Sequence, residues 1–149
     1  MTPEQLAQIH SDAFVHERSW TASEFAELLA KPHIECLTAA GGFALIQTIA
    51  DEAELLTLAV APAYHRQGIA QNLITRWISS TDASTAFLEV ASDNTAAIAL
   101  YSKNGFTQSG LRKGYYKRSS GPAADALLMT RAVTRSKYTP ERRCAPESG

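Results

Sequence analysis

The stretch from Leu55 to Val90 constrains this chain most. An apolar run, Leu55-Leu56-Thr57-Leu58-Ala59-Val60, passes through Ala61-Pro62-Ala63-Tyr64 into the turn His65-Arg66-Gln67-Gly68. A helical stripe follows at Ile69, Ala70, Leu73, Ile74, Trp77 and Ile78, and a second apolar run at Ala86-Phe87-Leu88-Glu89-Val90. Two buried strands joined by an amphipathic helix form a β-α-β crossover, which brings the strands together in one sheet. The fold class is therefore α/β.

The flanking sequence adds elements to both sides. Thr2-Pro3-Glu4-Gln5 reads as a helix start, with Thr2 as cap, Pro3 in the first position and Gln5 closing a capping box. Leu6, Ile9, Ala13 and Phe14 supply its stripe. Thr21-Ala22-Ser23-Glu24 repeats the pattern, with Trp20 and Phe25 as a hydrophobic staple, and Pro32 ends that helix. Residues 34–40, 43–50 and 54–60 read as a three-stranded meander turning at Gly41-Gly42 and Asp51-Glu52. After the crossover come a helix over 94–104 ended by Gly105, then strands over 106–111 and 126–134, with Tyr115-Tyr116 and Ser119-Ser120-Gly121-Pro122 between them. The order is ααβββαβαββ in one domain over residues 1–134. Residues 135–149, polar and proline-bearing, are expected to be a disordered tail.

Composition narrows the function. A formal net charge of -1 gives no reason to expect nonspecific attraction to nucleic acid or to a membrane surface. The basic C-terminal run, Arg131, Arg135, Lys137, Arg142 and Arg143, reads as a solvated tail. No apolar run approaches the roughly 20 residues that span a bilayer, and Met1-Thr2-Pro3-Glu4-Gln5 lacks a signal-peptide pattern. Cys36 and Cys144 stand far apart, which suits a reducing cytoplasm. His10, His16, His33 and His65 have no metal-ligand spacing and are expected at surfaces or helix ends, so no metal site is expected.

Three features carry chemistry. The start of the crossover helix offers unpaired N–H groups and a positive dipole end, Gly68 lets a phosphate approach the backbone, and Arg66 adds charge. The loop is neither a Walker loop nor a dinucleotide fingerprint, and a plain turn would look similar. Glu89 sits inside an otherwise apolar strand, as a functional carboxylate or as a structural ion pair. On the next helix Asn94, Ile98 and Tyr101, spaced i, i+4 and i+7, are expected on one face, where the Tyr101 phenol is either core filler or a proton donor.

Together these motifs resemble the GCN5-related N-acetyltransferase (GNAT) superfamily, and within it the RimI-type protein N-terminal acetyltransferases. The resemblance covers essentially residues 3–134. It rests on Leu56-Thr57-Leu58-Ala59-Val60, Gln67-Gly68-Ile69-Ala70, Leu88-Glu89-Val90 with Asn94, Ala97-Ile98-Ala99-Leu100-Tyr101, Gly105-Phe106, Arg112 with Tyr115-Tyr116, and Asp125-Ala126-Leu127-Leu128-Met129. The resemblance implies a mixed, mostly antiparallel sheet splayed around acetyl-CoA, with flanking helices. It also implies that the backbone of Leu58, Ala59 and Val60 pairs with the pantetheine, that Arg66, Gln67, Gly68, Ile69, Ala70 and Gln71 wrap the pyrophosphate, and that Asn94 touches the co-substrate. Glu89 is implied as base and Tyr101 as acid. His65 departs from the glutamine or arginine common in the family, which implies at most a weaker hold on CoA.

The implied acceptor is a protein N-terminal α-amine, in the type case the alanine of a small-subunit ribosomal protein. Trp20, Arg112 and Tyr115 are the implied peptide groove. Tyr115 and Tyr116 are adjacent, so at most one should face that groove if the segment is extended. An α-amine suits a carboxylate base: with a pKa near 8, roughly one in seven is neutral at pH 7, against about one in a few thousand for lysine. No cysteine lies among the motifs, so direct transfer fits better than an acyl-enzyme. An acetyltransferase of a small-molecule amine and a non-catalytic acetyl-CoA-binding module stay open as alternatives. A structural β-α-β domain with a plain turn is the third.

Overall fold

The computed structural model describes residues 1–14, 18–118 and 121–133. The elements are α1 (Pro3–Ala13), α2 (Ala22–Leu29), β1 (Ile34–Ala39), β2 (Gly42–Ile49), β3 (Glu52–Val60), a short 3-10 turn (Pro62–Tyr64), α3 (Ile69–Ser80), β4 (Thr85–Ala91), α4 (Thr95–Lys103), β5 (Thr107–Tyr116) and β6 (Ala124–Ala132). The order is the one expected from the sequence, apart from that single 3-10 turn. The expected tail, 135–149, lies outside the described residues.

Local chemistry sets the helix starts. Thr2 and Thr21 each accept from the backbone N–H three residues on, while Gln5 and Glu24 reach back to the cap N–H, so both capping boxes form. Trp20 packs on Phe25 with ring centroids 5.5 Å apart, closing the staple over α2.

The six strands form one sheet in the order β1-β2-β3-β4-β6-β5, and only β3 and β4 run parallel. α3 and α4 cover one face, with Leu73, Ile74, Trp77 and Tyr101 packed on Ala44, Ile46, Leu55, Leu88 and Val90. α1 and α2 cover the other, where Leu6 and Phe25 meet Phe43, Leu45 and Ala59. Side chains of this size contribute roughly 1.5–3 kcal/mol each when fully buried.

Two irregularities matter for the site. In the β2–β3 ladder the register slips, because Leu45 pairs with Thr57 while Ile46 pairs with Leu55. Leu56 is thus an extra residue that bends β3. The β3–β4 ladder ends at the same place: Glu52 to Leu55 pair with Thr85 to Leu88, and nothing pairs beyond. The second slip lies in β5, where Arg112 pairs with Ala126 but Tyr116 with Ala124. Three residues there oppose one, and Gly114 takes φ +62°. β5 consequently extends through Tyr115-Tyr116, beyond the expected strand end at Leu111.

Candidate active site

Beyond Leu55 and Leu88 the parted strands open a cleft through the sheet, part of a cavity of about 590 Å³. Strand alternation decides which backbone groups face it. The Ala61 N–H donates to the Gly41 carbonyl at 2.8 Å, so the neighbouring hydrogen-bonded pair is Ala59 with Phe43. The main-chain groups of Leu58 and Val60 therefore point into the cleft, where a strand-like ligand can pair with them. Ala59 lines the cavity, but its main chain is turned toward β2.

The Val60 carbonyl already has a partner: His65 Nε2 lies 3.0 Å away and must donate to it. His65 thus fastens the turn to the strand end. The hairpin at Gly41-Gly42 supports the same turn from below. Gly41 takes φ +71°, and a Cβ on it would overlap the Tyr64 ring; a Cβ on Gly42 would meet Ile69 Cγ2 at 2.9 Å. Only glycine lets these segments approach so closely.

At the start of α3, Gly68 adopts the left-handed conformation (φ 73°) and no side chain caps the helix. The first intrahelical bond runs from the Asn72 N–H to the Gly68 carbonyl. The N–H groups of Ile69, Ala70 and Gln71 thus precede the helical ladder, beside the exposed Arg66, itself at φ 65°. Left-handed residues on either side of Gln67 and a helix start form an anion-binding concavity. Gln71 brings only its backbone, since its side chain exchanges hydrogen bonds of 2.8 and 2.9 Å with Asn104. Ala70 lines the cavity. Arg66, Gln67, Gly68, Ile69 and Gln71 lie outside its lining.

α4 meets the cleft from the same face. Asn94 caps that helix through Oδ1, which accepts from the Ala97 N–H at 3.2 Å, leaving its amide hydrogens for a ligand. Asn94, Ile98 and Tyr101 follow one another along α4 as expected, the Ile98 N–H donating to the Asn94 carbonyl, but not all three reach the cavity. Asn94, Ala97 and Tyr101 line the cavity, whereas Ile98 packs into the core. The cavity face of α4 runs through Ala96, Ala97, Leu100 and Tyr101. Burial pushes the Tyr101 phenol up to about 12, which keeps it protonated at any physiological pH.

Glu89 lies on the opposite side of the sheet. Its neighbours Leu88 and Val90 face α3 and α4, so Glu89 and, by the same alternation, Glu54 face the α1–α2 side. The two sites expected to work together are therefore separated by the sheet and joined through the cleft. Arg112 of β5 reaches Glu89, with Nε 2.7 Å from Oε2 and Nη2 donating to Oε1 at 3.2 Å. The 2.7 Å contact is ionic rather than an aimed hydrogen bond, and Oε2, though buried, accepts none among the described residues. Arg112 is outside the cavity lining and sits over the Tyr115 ring, 4.5 Å from its centroid.

The remaining wall is aromatic. Trp20 staples α2 and also lines the cavity. Tyr115 and Tyr116 both line it, edge to face at 5.1 Å, contrary to the expectation that at most one would. The bulge at Gly114 breaks the two-residue alternation on which that expectation stood.

Sequence reasoning passed over two lining residues. Glu54 was read only as the start of an apolar run. Its carboxyl is raised by burial and then by the negative charge of Glu89, with Arg112 opposing. His10 was expected at a surface or helix end. It does lie in the last turn of α1, but it is 4% exposed and wedged between Phe14, Trp20 and Phe25. Its spacing from Leu6, i to i+4, was the available signal.

Known proteins share this arrangement. Residues 4–106 match the Acetyltransferase (GNAT) family. The [Ribosomal protein bS18]-alanine N-acetyltransferase of Escherichia coli (strain K12) is 31% identical over 140 residues, covering 89% of this chain and 94% of that one. The N-alpha-acetyltransferase RimI of Mycobacterium tuberculosis is 34% identical over 137 residues, covering 86% and 85%. The crystal structure of the ribosomal-protein-S18-alanine N-acetyltransferase from Escherichia coli superposes with a TM-score of 0.79 over 95% of this chain and 92% of that one. Among the described residues no helix is long and apolar enough to cross a membrane. A mixed sheet parted at its one parallel pair, an uncapped helix start beside the gap, and these matches together show that the chain belongs to the GNAT family of acetyltransferases.

Proposed function

We propose that this enzyme transfers the acetyl group of acetyl-CoA to the α-amine of a protein N-terminus, and that the acceptor is an N-terminal alanine of a small-subunit ribosomal protein. The observation that carries the reading is the cleft through the sheet. It gives a strand-like co-substrate the main-chain groups of Leu58 and the Val60 N–H on one side, and an amine the carboxylates of Glu89 and Glu54 on the other. The names of the relatives support the acceptor.

In this reading Ile69, Ala70 and Gln71 hold the pyrophosphate through backbone N–H groups, with Arg66 beside them. Asn94 donates to the co-substrate, and the Leu58 N–H polarises the thioester carbonyl. Glu89 takes a proton from the α-ammonium. The neutral amine attacks the carbonyl carbon, a C–N bond forms, the C–S bond breaks, and the extra proton on the attacking nitrogen passes through solvent to the departing sulfur. The Tyr101 phenol, near 12, faces a departing thiolate whose conjugate acid is near 8.5, so complete proton transfer is uphill. Tyr101 therefore acts as a hydrogen-bond donor to sulfur in the transition state. Trp20, Tyr115 and the Arg112–Glu89 pair shape the acceptor side.

A second assignment of the base has its own observation. Glu89 is held by Arg112, whereas Glu54 lines the same cavity with a raised carboxyl and, among the described residues, forms no ion pair. Thiol release measured on Glu89→Gln, Glu54→Gln and Tyr101→Phe decides. Glu89→Gln and Tyr101→Phe should each lower turnover by about 10²-fold. If Glu54→Gln alone does so, the base is Glu54. If all three leave turnover intact, the mechanism is wrong.

A further inference from the structure

We propose that His10 is a specificity-determining residue of the acceptor side: its Nε2–H donates to the first carbonyl oxygen of the acceptor peptide, so that the site favours an amine borne on a peptide over a bare alkyl amine. The inference rests on the proposed function and adds a residue and a selection rule to it.

Four observations support it. The Trp20 backbone N–H donates to His10 Nδ1 at 3.3 Å, so Nδ1 carries a lone pair and the neutral ring bears its proton on Nε2. Among the described residues Nε2 makes no hydrogen bond, and it keeps accessible surface beside the cavity, so its N–H can donate to a group held there. The ring cannot turn to find another partner. It is stacked on Trp20 at 5.1 Å, tilted against Phe14 at 4.7 Å and met by the edge of Phe25 at 5.8 Å. His10 also lines the cavity with Phe14 and Trp20, on the sheet face that carries Glu54 and Glu89. Burial, helped by the nearby positive charge of Arg18 and opposed by Glu24, lowers its pKa to about 4, so the ring is neutral in the working range.

An α-amine at Glu89 has its own residue's carbonyl two bonds away, in the cavity that His10 also lines. A lysine side chain or an alkyl amine has no carbonyl there and leaves the His10 N–H unpaired. Sites that commit a buried donor to a substrate group discriminate against analogues lacking that group.

The test compares wild type, His10→Phe and His10→Gln by thiol release from acetyl-CoA, using an alanine-initiated tetrapeptide and propylamine as acceptors. Phenylalanine fits the aromatic cage without a donor, and glutamine restores an N–H near the Nε2 position. His10→Phe should raise KM for the tetrapeptide about tenfold, with kcat and KM for acetyl-CoA within twofold, the loss of one neutral hydrogen bond. Its kcat/KM should fall about tenfold more on the tetrapeptide than on propylamine, and His10→Gln should recover most of that loss. Equal losses on both acceptors, or no change in KM, overturn the inference while leaving the proposed function standing. A wild type inert toward every peptide overturns the proposed function, and this inference with it.

Discussion

The buried histidine gives a prediction about stability that is independent of any substrate. His10 falls from an ordinary 6.5 to about 4 in the folded protein, chiefly through burial and then through Arg18. The folded state therefore binds the proton less readily than the unfolded chain. Above pH 6.5 neither state is protonated, and the contribution of His10 to stability is fully present. As pH falls from 6.5 toward 4 the unfolded chain gains a proton that the fold refuses, and stability is lost. Between pH 7.5 and 5 those two values imply a loss of about 2 kcal/mol, and screening by water near the ring reduces this to about 1 kcal/mol. Protonation would also set an N–H against the Trp20 N–H that Nδ1 now accepts. The assay is urea unfolding of wild type and His10→Phe at pH 7.5, 6.5, 5.5 and 5.0. Carboxylates common to both proteins cancel in the difference. The stability of His10→Phe relative to wild type should improve by about 1 kcal/mol as the pH drops. Parallel curves across that range would refute the buried, neutral state of the ring.

Other perturbations follow from the same structure. Arg112→Met leaves two carboxylates in the cavity without their cation, so the Glu54 carboxyl should rise further and the acid limb of kcat/KM should move up by about half a pH unit or more. A limb that does not move would show that Arg112 leaves the titrating group alone. Gly41→Ala forces a side chain into a left-handed position costing roughly 1–2 kcal/mol and displaces Tyr64 beneath the turn. The KM for acetyl-CoA should rise several-fold in steady-state kinetics. Adding acetyl-CoA at about 100 times its Kd should stabilise the protein by about 2.7 kcal/mol, measurable as a higher melting temperature. Absence of any shift would remove the co-substrate from the site.

How much of this was legible in the sequence depended on the range of the interaction. Thr2 with Gln5, and Thr21 with Glu24, act over three residues, and both capping boxes could be read directly. The same holds for the stripe of α3, for the turn at Gly68 and for the helix end at Gly105. Features set by the register between distant strands could not be read. The extra residue at Leu56 exists only relative to Leu45 and Ile46. Glu54 and Glu89 share a face because of pairings that start at Glu52 and Thr85. Arg112 reaches Glu89 across β6, and Tyr115 and Tyr116 share the cavity through a bulge measured against Ala124 and Ala126. His10 was missed because a buried histidine is recognised by the aromatic residues that surround it, two of which come from beyond α1.

The parted sheet has one more consequence. β1-β2-β3 and β4-β6-β5 are joined by four ladder pairs, and past Leu55 the two halves are separate ribbons. A strand-like ligand lying in that gap supplies the hydrogen bonds that the missing pairs would have made, and so behaves as a transient seventh strand. Slow amide exchange should then spread into the Leu58 and Val60 N–H groups only while the ligand is held. Each catalytic cycle would remove and restore a piece of the protein's own secondary structure.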